Sequence, residues 1–258
     1  KEAKKRNIPV CNVPTYGENT VAQHAMAFIL ALSRKLFVSI KRVKEGEFDY
    51  NGLKGFDLKD RTVGIIGTGH IGVHLIDMLS GFGTKTIAYD AFPNKKLEAE
   101  HKFKYVSLEE LLKKSDIISL HVPFFPETYH LLDEKAIKKM KPGVYIINTA
   151  RGELIDSKAL VWGLKSNHVA GAGLDVLESE DVIAHPEKLF TKSNKSKDLE
   201  TELMSNIIID HPTTIITPHN AFNSTEALQR IFDTTVENIK SYFNGTIQNK
   251  VTAPKIKK

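Results

Sequence analysis

Three polar residues placed just past apolar runs could do chemistry together. Arg151 follows "IINTA", Glu180 follows "GLDVLES" and His219 follows "TIITP". An arginine fork can hold a carboxylate through two parallel hydrogen bonds and polarise a carbonyl next to it. A histidine can give or take a hydroxyl proton near neutral pH. A glutamate beside the histidine would orient the ring and favour its protonated form. As a set they meet the needs of hydride transfer to a carbonyl. Taken singly, each has a plainer reading as a surface cation, a solvated loop charge or a polar strand cap.

Hydride transfer needs a donor, and "VGIIGTGHIGVHL" has the spacing of a dinucleotide site. Gly67, Gly69 and Gly72 stand in G-x-G-x-x-G order, after a predicted strand and at the start of a helical pattern. Eighteen residues after Gly72 the strand "TIAYD" ends in Asp90, close to the spacing of about 20 that this fingerprint carries. The glycines permit a tight turn and a close approach of backbone to pyrophosphate, and the helix N-terminus offers amide donors. Asp90 would accept from the adenosine ribose hydroxyls and repel a 2′-phosphate, which favours NAD over NADP.

These residues must be held by a regular frame. The runs "TVGIIG", "TIAYD", "DIISLHVP", "VYIINTA", "VAGAGLDV" and "TTIITPH" read as strands, separated by helical patterns. Near-continuous apolar strands alternating with helices predict an α/β fold, a doubly wound parallel sheet covered on both faces. Such sheets bind ligands beyond the carboxyl ends of their strands, where Arg151, Glu180 and His219 fall. A Ser107/Glu110 capping box opens one short helix. Further helices are expected near Glu134–Met140, over Asp156–Leu164 and around Leu199–Met204. Two long helices flank the block: Thr20 to about Lys44, opened by a Thr20/Gln23 capping box, and Ser224 to about Tyr242.

Composition narrows the class. The 258 residues are 41% hydrophobic and 26% charged, as in ordinary soluble globular proteins, so a sizeable core is expected. The formal net charge of +5 comes largely from the terminal runs "KEAKKR" and "KIKK", which carry no interleaved aromatics. They read as solvated tails rather than a nucleic-acid surface. The single cysteine, Cys11, allows no internal disulfide framework or cysteine metal cluster, and a cytoplasmic setting is expected. The longest apolar run, "AMAFILAL", is too short to span a bilayer.

In order, "GTGHIG", "HVPFFPETYHLL", "NTARGELID", "GAGLDVLESE" and "TPHNAF" resemble the successive signatures of the NAD-dependent D-2-hydroxyacid dehydrogenase family, closest to its D-lactate and D-2-hydroxyisocaproate members. The resemblance covers nearly the whole chain. It implies a Rossmann-type doubly wound domain, NAD as cofactor, reversible NADH-dependent reduction of a 2-oxo acid to a D-2-hydroxy acid, and a homodimer. Carried over by position, Arg151 resembles the substrate-carboxylate arginine, His219 the proton donor and Glu180 its partner. Glu178 competes for that last role, but the family places its glutamate five residues after the aspartate of "LDV", which selects Glu180. Gly67, Gly69, His70, Ile71 and Gly72 would lie along the pyrophosphate and Asp90 on the ribose. Val122 and Pro123 would flank the adenosine with Thr128 nearby, and Thr149, Ala150 and Asp175 would meet the nicotinamide half.

The resemblance also implies a division of the chain. Residues 1–16, with "IPVCNVP", resemble the last strand of a flavodoxin-like substrate domain; 17–221 the NAD-binding domain; and 222–258 a returning helix with a basic tail. Family members carry roughly one hundred further residues ahead of this point, completing a domain of typical size. The chain is therefore expected to bind NADH but to turn over 2-oxo acids poorly, because substrate placement and water exclusion by domain closure would be lacking. Surfaces on the helices from Thr20 and Ser224 are expected to be exposed and apolar, and the first suggests a dimer contact. The segment between Glu180 and His219 is longer than in many relatives, as a lid, a subunit contact or a passive excursion. An NAD-sensing corepressor-like binding module is the alternative from another class; no recognisable nucleic-acid or peptide-docking segment supports it. Glyoxylate and phosphoglycerate dehydrogenases stay open, whereas formate dehydrogenase has Gln where this chain has Glu180.

Overall fold

A computed structural model describes residues 2–178, 180 and 195–251. Val21–Ala221 form one compact unit; the chain up to Thr20 and from Phe222 onward forms a second, smaller one. The larger unit is built on a seven-stranded parallel sheet: β1 (Thr62–Ile66), β2 (Lys85–Tyr89), β3 (Lys104–Tyr105), β4 (Ile117–Leu120), β5 (Val144–Asn148), β6 (Val169–Leu174) and β7 (Thr214–Ile216). The strand order is β3-β2-β1-β4-β5-β6-β7. The order reverses between β1 and β4, so connections leave in opposite directions there and open a crevice beyond the strand ends.

Both faces of the sheet are covered, which is why the strands read as unbroken apolar runs. Successive side chains point to opposite faces. On one face Ile66, Ile118 and Ile146 pack with Leu111, Ile137 and Leu160 from the helices Leu108–Lys114, Glu134–Lys139 and Ser157–Lys165. On the other, Val63, Ile65 and Ile147 pack with Phe28, Ile29 and Leu75 from the helices Glu18–Ser33 and His70–Ser80. Ser107 caps its helix as expected, accepting from the Glu110 N–H at 3.2 Å. Asp133 and Asp156 cap the next two in the same way.

Several expectations need correction. The long helix from Thr20 is two helices, Glu18–Ser33 and Leu36–Lys44, bent by 64° at a break where Lys35 takes φ 49°. Thr20 lies inside the first of them, so it is not an N-cap; its hydroxyl is 3.3 Å from that of Ser224. The apolar stripe of Glu18–Ser33 is buried in the core, and the exposed apolar residues belong to Leu36–Lys44. β3 and the helix Lys95–Glu100 escape sequence reading, because β3 is two residues long and pairs only through Ile87↔Lys104 and Ala88↔Tyr105. The helix sought near Leu199–Met204 runs over Lys195–Asp210, while 181–194 lie outside the described residues. No single described helix is long and apolar enough to cross a membrane.

In the smaller unit, Ser224 caps the helix Thr225–Phe243 through the Ala227 N–H. Arg230 donates to the Tyr16 carbonyl at 2.7 Å, Asn238 to that of Asn12 at 3.1 Å, and Cys11 and Lys250 form an antiparallel bridge. Phe232, Ile239 and Phe243 of this helix are exposed, as its predicted apolar surface requires.

Candidate active site

The glycine loop leaves β1 at the point where the strand order reverses. Gly67 has φ +98°, a conformation that side chains rarely adopt, and a Cβ there would meet the His121 carbonyl oxygen at 2.7 Å. A Cβ on Gly72 would stand 2.1 Å from the Gly67 oxygen, so this glycine is what lets the helix His70–Ser80 seat against the loop. Gly69 faces open space, with nothing within 4 Å of where its Cβ would be. It is also the helix N-cap, without side-chain capping of the first turn. His70 is exposed and Ile71 half-buried. The result is an open helix N-terminus with no side-chain cap at a positive dipole end, the kind of site that can receive a pyrophosphate.

Asp90 follows the last residue of β2. Its Oδ2 accepts from the Thr68 N–H at 2.7 Å and the Thr68 hydroxyl at 2.8 Å, and its Oδ1 from the Phe92 N–H at 2.9 Å. Val122 and Pro123 follow β4 in the neighbouring loop, Val122 half-buried and Pro123 exposed. Thr128 ties this loop together: its Oγ1 accepts from the Phe125 N–H at 2.8 Å and donates to the Pro123 carbonyl at 2.9 Å. Beside the glycine loop, burial pushes the His121 imidazole down to about 4, so the ring is neutral at ordinary pH; its Nε2 lies 2.8 Å from the Ser119 hydroxyl.

The catalytic candidates leave three neighbouring strands, β5, β6 and β7. At the end of β5, the fully buried Asn148 donates to the Arg151 carbonyl at 2.8 Å and accepts from the Ala150 N–H at 3.0 Å. This turn exposes Arg151, which has no ion-pair partner among the described residues. Thr149 is buried and its hydroxyl lacks a partner among the described residues. A buried polar atom left unpaired at this position is what a nicotinamide amide would satisfy.

Glu180 and His219 are paired, with Oε2 and Nδ1 2.8 Å apart. The Leu177 N–H donates to the other Glu180 oxygen at 3.1 Å. Glu178 points elsewhere: it pairs with His130 at 2.7 Å and accepts from the Ser157 N–H and hydroxyl. His219 has φ 52°, and its N–H donates to the Asp175 carbonyl at 2.9 Å. Asp175 is 1% exposed. Its carboxylate accepts from the Thr217 hydroxyl, from Asn220 N–H at 3.0 Å and from Ala221 N–H at 2.8 Å. One buried carboxylate thus braces the whole turn that presents His219. Behind it, His24 Nε2 lies 3.0 Å from the Thr217 hydroxyl, and burial pushes this imidazole below its ordinary value against the opposing pull of Asp175.

Sequence reading missed Asn148, Thr217 and His24 as positioning groups. The signal for Asn148 was present, since a polar residue inside "YIINTA" must be hydrogen-bonded once that run is buried.

The chain is similar to known proteins over most of its length. The family described as D-isomer specific 2-hydroxyacid dehydrogenase, NAD binding domain, matches residues 26–221. An aromatic 2-oxoacid reductase of Clostridium sporogenes is 41% identical over 96% of this chain and 73% of its own length. A D-lactate dehydrogenase of Escherichia coli is 37% identical over 94% of this chain and 71% of its own length. The crystal structure of D-lactate dehydrogenase from Aquifex aeolicus, complexed with NAD and lactic acid, superposes with a TM-score of 0.86 at 36% identity, covering 98% of this chain and 76% of that one.

Proposed function

Because this chain belongs to the D-isomer specific 2-hydroxyacid dehydrogenase family, and Val21–Ala221 carry that family's NAD-binding domain, we propose that it reduces a 2-oxo acid to a D-2-hydroxy acid, reversibly, with D-lactate dehydrogenase-like preference. NADH, when bound, supplies the hydride. Arg151 holds the substrate carboxylate with its planar fork and draws electron density from the adjacent carbonyl. His219 Nε2 gives its proton to the carbonyl oxygen as the carbonyl carbon is reduced, and takes it back in the reverse direction. Glu180 fixes the tautomer by holding Nδ1 and stabilises the ring when it is charged.

The observation that carries this reading is the 2.8 Å pairing of Glu180 with His219 Nδ1, which leaves Nε2 as the nitrogen for proton transfer. The test is NADH oxidation with pyruvate and bulkier 2-oxo acids, aromatic ones included, with NADH binding measured on the same preparation. Turnover is expected of the intact protein, one that includes a complete substrate domain, with pyruvate among the preferred substrates. Tight NADH binding with no turnover of any 2-oxo acid by the intact protein would favour a nucleotide-sensing module over an enzyme.

We also propose a homodimer. The helix Leu36–Lys44 exposes Phe37, Ile40 and Val43, and just beyond it Phe48 and Tyr50 are 94% and 85% exposed. A cavity of about 210 Å³ beside this helix is lined by Phe37, Val38, Tyr145 and Pro212. Large apolar side chains exposed in this number are a usual mark of a protein interface. Sedimentation should give twice the chain mass, and the double variant Phe37→Glu/Phe48→Glu should give a monomer. A double variant that keeps the wild-type mass would place the interface elsewhere.

A further inference from the structure

Asp90 is held by more than its own turn. Its Oδ2 accepts the Thr68 hydroxyl proton at 2.8 Å. Thr68 has one such proton, so the 2.8 Å contact between Thr68 Oγ1 and the Tyr105 hydroxyl must be donated by Tyr105. The Tyr105 oxygen in turn accepts from the Asn94 N–H at 3.3 Å. The result is a directed chain, Asn94 N–H to Tyr105 O–H to Thr68 O–H to Asp90. It links the segment after β2, the edge strand β3 and the second residue of the G-x-G turn. Thr68 is buried, and the Tyr105 ring is fixed edge-on against Phe103 with centroids 4.9 Å apart.

This chain decides what Asp90 can do. Both Thr68 donors fall on Oδ2, so that oxygen is spent and the plane of the carboxylate is set. Oδ1 has the Phe92 N–H and keeps acceptor capacity. A loosely held carboxylate could turn away from a 2′-phosphate and let it in. One clamped from behind cannot, and the repulsion is enforced. We propose that Tyr105, acting through Thr68, is a positioning residue that fixes the Asp90 carboxylate and so sets the preference for NADH over NADPH. This inference rests on the reading that Asp90 meets the adenosine ribose.

Fluorescence titration of the chain with NADH and with NADPH tests it without need of turnover. In Tyr105→Phe the NADPH-to-NADH ratio of dissociation constants is expected to fall roughly fivefold, chiefly through tighter NADPH binding, in keeping with the loss of one hydrogen bond. Thr68→Val should lower the ratio further, and Thr68→Ser, which keeps the hydroxyl, should restore it. Equal weakening of both nucleotides in Tyr105→Phe would mean a merely structural role and overturn the inference. So would an unchanged ratio in Tyr105→Phe and Thr68→Val while Asp90→Ala collapses it. If Asp90→Ala itself leaves the ratio unchanged, the ribose reading fails and this inference falls with it, an outcome distinct from the other two.

Discussion

Replacing His219 by glutamine is expected to lower kcat for 2-oxo acid reduction by roughly 10²–10⁴-fold in the intact protein, the usual worth of general acid–base catalysis. Glutamine can keep a hydrogen bond to Glu180 but cannot deliver a proton at Nε2. NADH affinity should stay within a small factor of wild type, because the glycine loop and Asp90 lie beyond β1 and β2, away from β7. The neighbouring carboxylates make an internal control. Glu180→Gln exchanges a charged hydrogen bond for a neutral one and should lower kcat by about tenfold, the difference between the two kinds of bond. Glu178→Gln should instead lower the melting temperature, since Glu178 joins His130 to the start of the helix Ser157–Lys165. Steady-state kinetics with a thermal melt on each variant distinguishes these outcomes. A near-normal kcat for His219→Gln would remove His219 from the mechanism, and a kcat loss confined to Glu178→Gln would reassign the histidine's partner.

The second large effect is expected at a residue with no side chain. A Cβ on Gly152 would lie 2.1 Å from the Leu177 carbonyl carbon and oxygen and 2.5 Å from the Glu178 nitrogen. Those are backbone atoms, so no side-chain rotation relieves the clash. This glycine lets the segment bearing Arg151 lie directly on the segment that leads to Glu180. Gly152→Ala must part the two, and a displacement of about 1 Å in a reacting geometry costs on the order of 10²-fold. The overpacking should also cost about 1–3 kcal/mol of stability. The measurement is kcat/KM alongside NADH affinity and thermal unfolding. A kcat/KM within about threefold of wild type would show that the contact does not hold the two segments in register.

Why some features were legible in the sequence and others were not follows from where their causes lie. β1, β4, β5 and β6 are buried on both faces, so burial wrote itself into composition as apolar runs. β3 is an edge of two residues with Lys104 in it, and nothing local distinguishes it from the polar loop around it. The break at Lys35 is invisible for another reason. The apolar periodicity of "FILALSRKLFVSI" continues through it, while its cause is tertiary: the Phe56 N–H takes the Ser33 carbonyl at 2.9 Å and ends the first helix. The glycine loop and Asp90 could be read because their spacing is itself the mechanism. The choice between Glu178 and Glu180 rested on family spacing alone, and only coordinates show that each has a different histidine. Thr68 and Tyr105, 37 residues apart, carry no joint signature at all.

During synthesis the segment up to Thr20 leaves the ribosome well before the segment from Phe222, yet the two form one unit. At typical elongation rates the first must wait on the order of 10–40 s for its partner. The sheet of the larger unit needs neither segment, so it can fold during that interval. In doing so it brings its own two ends together, since His24 and Thr217 come to lie 3.0 Å apart at the side chains. The entropy of closing a loop of this length is thereby met before the terminal segments pair. The turn that presents His219 is completed at the same place, so the order of manufacture puts His219 in position before those two segments pair.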